Sequence, residues 1–284
     1  MNGRTDLALE AAADHLSAEG IKQTVEEADD LTVTRTVVRS AAAAEQLGKP
    51  QGRYVTVELP PLTDDEQRLE QHARRVAKEL VAMLPPEGTV LVVGLGNAAI
   101  TPDALGPQVA DMVLATRHIQ GEWAKSLGLD DLRPVAVFPT GVLGQTGVES
   151  GELARGLCRT VQPSAVIAVD ALAARSLSRL GCTVQLCDTG IAPGSGVGNN
   201  RRALTKELMG VPVIGMGVPT VVDAATLVAE MSGTAPADAD AARMVVTPRE
   251  VDVMVRRAAR LIAMTINAAL QPDYSPIELI AAAV

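Results

Sequence analysis

The stretch "GTVLVVGLGNAAITPDALGP", residues 88–107, decides how the rest of the chain is read. Its first seven residues are a short β-branched apolar run, the pattern of a strand buried on both faces. Gly94, Gly96 and Ala99 then follow in the loose spacing of a dinucleotide fingerprint, with Asn97 and Asp103 close behind. Three readings compete: a phosphate cradle, a helix cap, or a turn that delivers a carboxylate. A dinucleotide site needs a helix leaving the turn at once and an acid closing the next strand to hold a ribose hydroxyl. Pro102 restricts Thr101 to extended backbone and delays the helix, and the next apolar run ends "FPTG" with no acid. A noncatalytic nucleotide-binding module is therefore the lesser reading.

Four further runs repeat the pattern: "PVAVFPTG", "SAVIAVDA", "CTVQLCDTG" and "VPVIGMGVP". Most are separated by stretches able to form helices, so the expectation is an α/β fold with a mostly parallel sheet covered by helices. Ligands and chemistry collect at the carboxyl edge of such a sheet. Upstream, "DLALEAAADHLSA" (6–18) reads as a helix, and "LTVTRTVV" and "RYVTVELP" alternate with period two as an antiparallel strand pair. "TDDEQRLEQHARRVAKELVAML" is a long amphipathic helix opening at Thr63, and "TPREVDVMVRRAARLIAMTINAAL" another, capped by Thr247 with Pro248 at its first position. "GTAPADADA" (233–241) reads as a surface loop. One domain over 1–284 is the simplest organisation, with an N-terminal helix and strands over 1–60 and a βα core over 88–270.

Composition narrows the function. The 284 residues are 47% hydrophobic but 1% aromatic, with Tyr54, Trp123, Phe138 and Tyr274 alone, so stacking on nucleic-acid bases is a poor mode of action. A net charge of −9 disfavours direct binding to a phosphate backbone. No apolar run approaches the ~20 residues needed to span a bilayer, and the N-terminus lacks signal-peptide features, which reads as soluble and cytoplasmic. Cys158, Cys182 and Cys187 are odd in number, sit in or beside apolar segments, and read as reduced core thiols rather than metal ligands.

Nucleophile chemistry finds little support. "APGSGVGNNR" (192–201) has neither the Lys-Ser/Thr of a P-loop nor a G-x-S-x-G elbow, and His15, His72 and His118 are the only bases for a Ser or Cys. Carboxylates at strand ends remain: Asp103, Asp170, Asp188 and Asp223. Any one of these is as well explained as a helix cap. Several at one sheet edge point instead to a proton-sharing pair acting on water and a carbonyl.

"GLGNAAITPDALGP", "VIAVDALAARS", "DTGIAPGSGVGN" and "VIGMGVPTVVDA", in this order after "RTDLALEA", resemble the spore germination proteases over nearly the whole chain. The resemblance implies a three-layer αβα sandwich, phosphorylase/hydrolase-like and related to hydrogenase-maturation proteases. It implies a homotetrameric aspartic-type endopeptidase of the forespore and spore core that needs no cofactor or metal. Its substrates would be small acid-soluble spore proteins, taken as extended chains released from DNA without contact to nucleic acid or membrane. Carried over by motif, Asp103 and Asp170 are the catalytic pair. Gly94 and Gly96 would let a peptide approach, Asn97 would bind substrate or a carboxylate, and Asp188, Thr189, Gly194, Gly196 and Asn199 would shape the site, Asp188 being an alternative partner to Asp170. The family is made as a zymogen with a short propeptide, whereas only Met1, Asn2 and Gly3 precede Arg4 here. A nickel-sensing hydrogenase-maturation-type processing protease is the runner-up, opposed by the lack of any His from Lys125 onward.

Overall fold

The computed structural model describes residues 5–13, 19–63, 68–126, 128–194, 202–233 and 244–283. In chain order, α1 (Ala8–Ala13) precedes a hairpin of β1 (Ile21–Ala28) and β2 (Leu31–Val38), then α2 (Ala41–Leu47), β3 (Gly52–Glu58) and α3 (Leu69–Val81). The βα part runs β4 (Val90–Leu95), α4 (Leu105–Met112), α5 (Gly121–Ser126), β5 (Val135–Gly141), α6 (Leu143–Thr146), α7 (Ser150–Val161) and β6 (Ala165–Ala174). It continues through β7 (Thr183–Cys187), α8 (Lys206–Met209), β8 (Val213–Asp223), α9 (Ala224–Ser232) and β9 (Val245–Val246), and ends with α10 (Val251–Leu270) and α11 (Pro276–Ala283).

Among the described residues the strands form one nine-stranded sheet, ordered β1-β2-β3-β7-β8-β6-β4-β5 with β9 on β8. The four strands β8, β6, β4 and β5 are parallel, as their continuous apolar runs require. β7 departs from the expected rhythm: it pairs antiparallel with both β3 and β8. Only a short link through Ser176–Cys182 joins it to β6, too little chain for the crossover that a parallel neighbour needs. β1 is a strand that hydrophobic pattern misses, because "IKQTVEEA" on the sheet edge is mostly exposed.

Helices cover both faces. On one, α10 lies against α3 and α4 over a core that includes Leu105, Val109, Ile167, Val169, Leu261 and Ile262. On the other, Ala154 and Cys158 of α7 and Met209 of α8 cover Leu91, Val93, Val166 and Ala168. Helix ends follow local chemistry where the sequence supplies it. Ser40 accepts the amide of Ala43 at 3.1 Å to start α2, and Gly48 (φ 64°) ends it. α10 begins at Val251, later than the sequence predicts, because the Thr247 hydroxyl donates to the carbonyl of Thr220 on β8 at 2.9 Å instead of capping the helix. The long helix expected from Thr63 is described only from Leu69, and His15 and most of the 233–241 loop lie outside the described residues.

The exposed hairpin is tied to α3 by charge. Arg35 and Arg75 both reach Glu79, at 2.6 and 2.8 Å, and both also reach Glu26, at 2.8 Å each. Burial works against the Glu79 charge, but the two guanidiniums outweigh it and hold its carboxyl below the usual range. A depressed folded-state pKa gives stability that is fully present above the unfolded glutamate value of about 4.3 and is lost as pH falls through the folded value. Glu79→Gln is therefore expected to lower the urea midpoint at pH 7 and to flatten its fall on acidification. Parallel acid dependences in the two proteins would contradict this.

Candidate functional site

The crevice between β4 and β6 is the point where the chain changes side. The two strands are neighbours, yet the chain visits β5, on the far side of β4, between them. α4, which leaves β4, packs on one face of the sheet, and α7, which leads into β6, on the other. In an open α/β sheet such a switch point leaves a cleft at the carboxyl edge.

Both sequence-predicted catalytic aspartates lie there. Gly94 pairs with Val169, so Asp170 comes level with Leu95, the last residue of β4, one interstrand spacing of about 4.8 Å away. Beyond Leu95 the chain turns through Gly96 (φ 113°) into a 3-10 turn, Thr101–Asp103, before α4 starts at Leu105. The helix is delayed as expected, but the extended residue is Ile100 (φ −114°, ψ 104°) rather than Thr101, which already belongs to the turn. The amide of Asn97 donates to Asp103 Oδ2 at 2.8 Å. The Thr220 hydroxyl on β8 donates to the carbonyl of Pro102 at 2.8 Å and pins the turn to the sheet edge. Asp103 is half-buried; Asp170 is 4% exposed, and its Oδ1 accepts the amide of Ala171 at 3.0 Å.

The glycines work differently from the sequence expectation. A Cβ on Gly94 would stand 2.3 Å from the carbonyl oxygen of Gly106, and one on Gly96 would stand 2.1 Å from that of Asp103. Their bareness lets α4 and the 3-10 turn close onto β4, which brings Asp103 to the strand end. Asn97 likewise contributes its amide to the carboxylate, while its side-chain oxygen accepts from Ala99 N at 3.0 Å and from Gln145 Nε2 at 2.6 Å. Gln145 had no signal in the sequence, since an isolated polar residue outside a motif looks like any solvated surface, and Thr220, though inside the block "VIGMGVPTVVDA", was not singled out there.

Asp188 separates from the pair. β7 runs antiparallel, with Cys187 opposite Gly215, so its C-terminal end points toward the other edge of the sheet from Asp170. There Asp188 accepts the Arg53 amide at 2.7 Å and its Nε at 2.8 Å. Asp223 serves as the N-cap of α9, accepting from Thr226 N at 3.0 Å. Thr189 donates to the Tyr54 hydroxyl at 3.3 Å, and Gly194 takes a left-handed conformation (φ 70°). Gly196 and Asn199 lie outside the described residues.

Beside Asp170, a cavity of about 220 Å³ is floored by Gly215 and Gly217 and walled by Lys49, Tyr54, Cys187 and Thr189. Gly217 is the register partner of Asp170, so the cavity opens on the next strand. Lys49 Nζ donates to the carbonyls of Thr5 and Asp6 at 3.1 and 3.0 Å, and burial pulls its pKa down. Burial likewise pushes the Cys187 thiol up, consistent with an inert core cysteine. Neither described histidine approaches the aspartates. His72 on α3 contacts Asp30 at 3.1 Å, and His118 follows Thr116 and Arg117, which bond Val135 at the start of β5. Among the described residues no helix is long and apolar enough to cross a membrane.

Comparison with known proteins adds an independent observation. Residues 5–233 match the family described as germination protease. The chain is 39% identical over 313 residues to a germination protease of Caldanaerobacter subterraneus subsp. tengcongensis, covering 97% of this chain and 96% of that one. It is 38% identical to one of Clostridium perfringens, with 96% of each chain covered, and 42% identical to one of Bacillus cereus, with 80% and 65% covered. Among solved structures it is similar to the [NiFe] hydrogenase maturation protease HycI from Thermococcus kodakarensis KOD1, at 17% identity and a TM-score of 0.37, over 66% of this chain and 99% of that one.

Proposed function

Because the chain belongs to the germination protease family, we propose that it is an aspartic-type endopeptidase of spore germination that cleaves small acid-soluble spore proteins through Asp103 and Asp170. What supports the aspartate assignment is that both lie at one switch-point edge, one on the turn after β4 and the other on β6. One carboxylate takes a proton from water as its oxygen bonds to the scissile carbonyl carbon, and the other donates a proton to the carbonyl oxygen. Collapse of the tetrahedral adduct breaks the C–N bond as the proton first taken from water passes to the leaving nitrogen, and the proton on the former carbonyl oxygen returns to the second carboxylate.

The surroundings suit an extended polypeptide. Ile100, Phe138 and Leu143 leave apolar side chains exposed on segments next to the Asp103 turn, and the glycine-floored cavity beside Asp170 has room for a substrate side chain. A net charge of −9 repels duplex DNA and favours action on released protein. A family-type homotetramer belongs to the same proposal.

The test is cleavage of a purified small acid-soluble spore protein against an unrelated unfolded protein of similar length, with and without a chelator. Selective cleavage that survives chelation is expected. Equal cleavage of both proteins would overturn the substrate assignment, and loss of activity on chelation would overturn the two-carboxylate mechanism.

A further inference from the structure

A second feature lies away from the aspartates, on the outer side of α7. Arg155 and Arg159 stand one helical turn apart, and Arg202 enters from the segment leading to Leu204. The three line one depression of about 210 Å³ with Gly151, Glu152 and Gly156. All three arginines are exposed, and among the described residues none makes an ion pair. Arg35, Arg53, Arg68, Arg74, Arg75 and Arg179 do, whereas among the described residues Arg39, Arg117 and Arg256 share the lack of an ion pair, so it is the gathering of three in one depression that distinguishes this place. In a chain of net charge −9, three arginines and one glutamate lining the same depression make its local charge balance positive.

The floor of the depression has its own cost. Gly156 is in the interior of α7, and a Cβ there would meet nothing within 4 Å. A helical glycine is about 1 kcal/mol worse than alanine, and among the described residues no packing demands this one. Its effect is to keep the surface between Arg155 and Arg159 low, so that a ligand can reach both guanidinium forks.

We propose that this depression binds a phosphate-bearing anion through Arg155, Arg159 and Arg202. A single planar guanidinium already satisfies a carboxylate's two oxygens, whereas guanidiniums approaching from two chain segments match the several oxygens of a tetrahedral phosphate. The phosphate comes either as a free anion or as the phosphodiester of a nucleic acid strand, and the chemistry of capture is the same.

The test is calorimetry on the full chain at low ionic strength with inorganic pyrophosphate, repeated with Arg155→Gln/Arg159→Gln and separately with Arg202→Gln. Binding is expected to weaken about tenfold or more in each variant, the size of a lost charge-assisted hydrogen bond, and to weaken as salt rises. A wild-type protein that binds no pyrophosphate at about 10 mM, a concentration that detects millimolar affinity, overturns the proposal. Variants that bind like the wild type overturn it as well. A short single-stranded oligonucleotide distinguishes the source: tighter, arginine-dependent binding than pyrophosphate identifies the phosphodiester, and pyrophosphate binding alone identifies the free anion. The arginines are exposed, so their replacement leaves the core and the aspartate edge intact, and either outcome is independent of the peptidase reading.

Discussion

Asp103→Asn is expected to lose peptide cleavage by about 10²–10⁴-fold, the range of general acid–base catalysis, while unfolding at the wild-type urea midpoint. The substitution is close to isosteric. Asn97 still has an oxygen to donate to at the Oδ2 position, 2.8 Å away, so the turn keeps its anchor. What disappears is the capacity to exchange a proton with water or carbonyl. Asp170→Asn is expected to lose as much, and the double variant little more than either single one, because two residues that act as a unit are not additive. Asp188→Asn is the contrast: it weakens the contact with Arg53 at the other end of the sheet and leaves cleavage largely intact. Full activity in Asp103→Asn, with the fold verified, would remove it from the mechanism. Equal losses in Asp188→Asn would show that the reaction uses a site other than the β4–β6 crevice.

Gly106→Ala is expected to be the most damaging small change to the fold. Its Cβ would stand 2.2 Å from the oxygen and 2.4 Å from the nitrogen of Leu95, and 2.6 Å from the oxygen of Val169. All three are main-chain atoms of strands in the middle of the sheet, so no rotamer relieves the clash. Either α4 withdraws from β4 and β6 or the strands part. Overpacking of this kind costs about 1–3 kcal/mol or more. Activity should fall with stability, because Leu95 and Val169 directly precede the glycine turn and Asp170. Gly156→Ala is the internal control with the opposite sign, a gain of about 0.5–1 kcal/mol on an open helix face. Denaturant unfolding of both variants reads the contrast; a Gly106→Ala protein within about 0.5 kcal/mol of wild type, the usual range of a neutral surface change, would refute the packing account.

Local pattern was enough for the parts of the molecule that bury themselves. "VLVVG", "AVIAV" and "VIGMGV" are apolar throughout and became the interior strands β4, β6 and β8. The apolar stripe Leu69, Ala73, Val76, Ala77 and Leu80 became the inner face of α3. Pro102 and the glycines around it announced a turn with a delayed helix, and the family motifs singled out Asp103 and Asp170. The edge strand β1 escaped because its residues are polar and its stability comes from pairing with β2 and from Glu26 reaching Arg35 and Arg75.

Direction and company were another matter. An apolar run reads the same for a strand running either way, so "CTVQLC" gave no warning that β7 opposes β8 and carries Asp188 away from the crevice. Nor does Gly94 or Gly96 disclose what occupies the space its side chain would fill; that depends on where α4 and the 3-10 turn come to rest. Residue chemistry and spacing, read with the family motifs, determined which segments are buried and which carboxylates are candidates. Only the tertiary structure decided which of those carboxylates share an edge, because strand order and strand direction are set by pairings between segments far apart in the chain, where local periodicity has no reach.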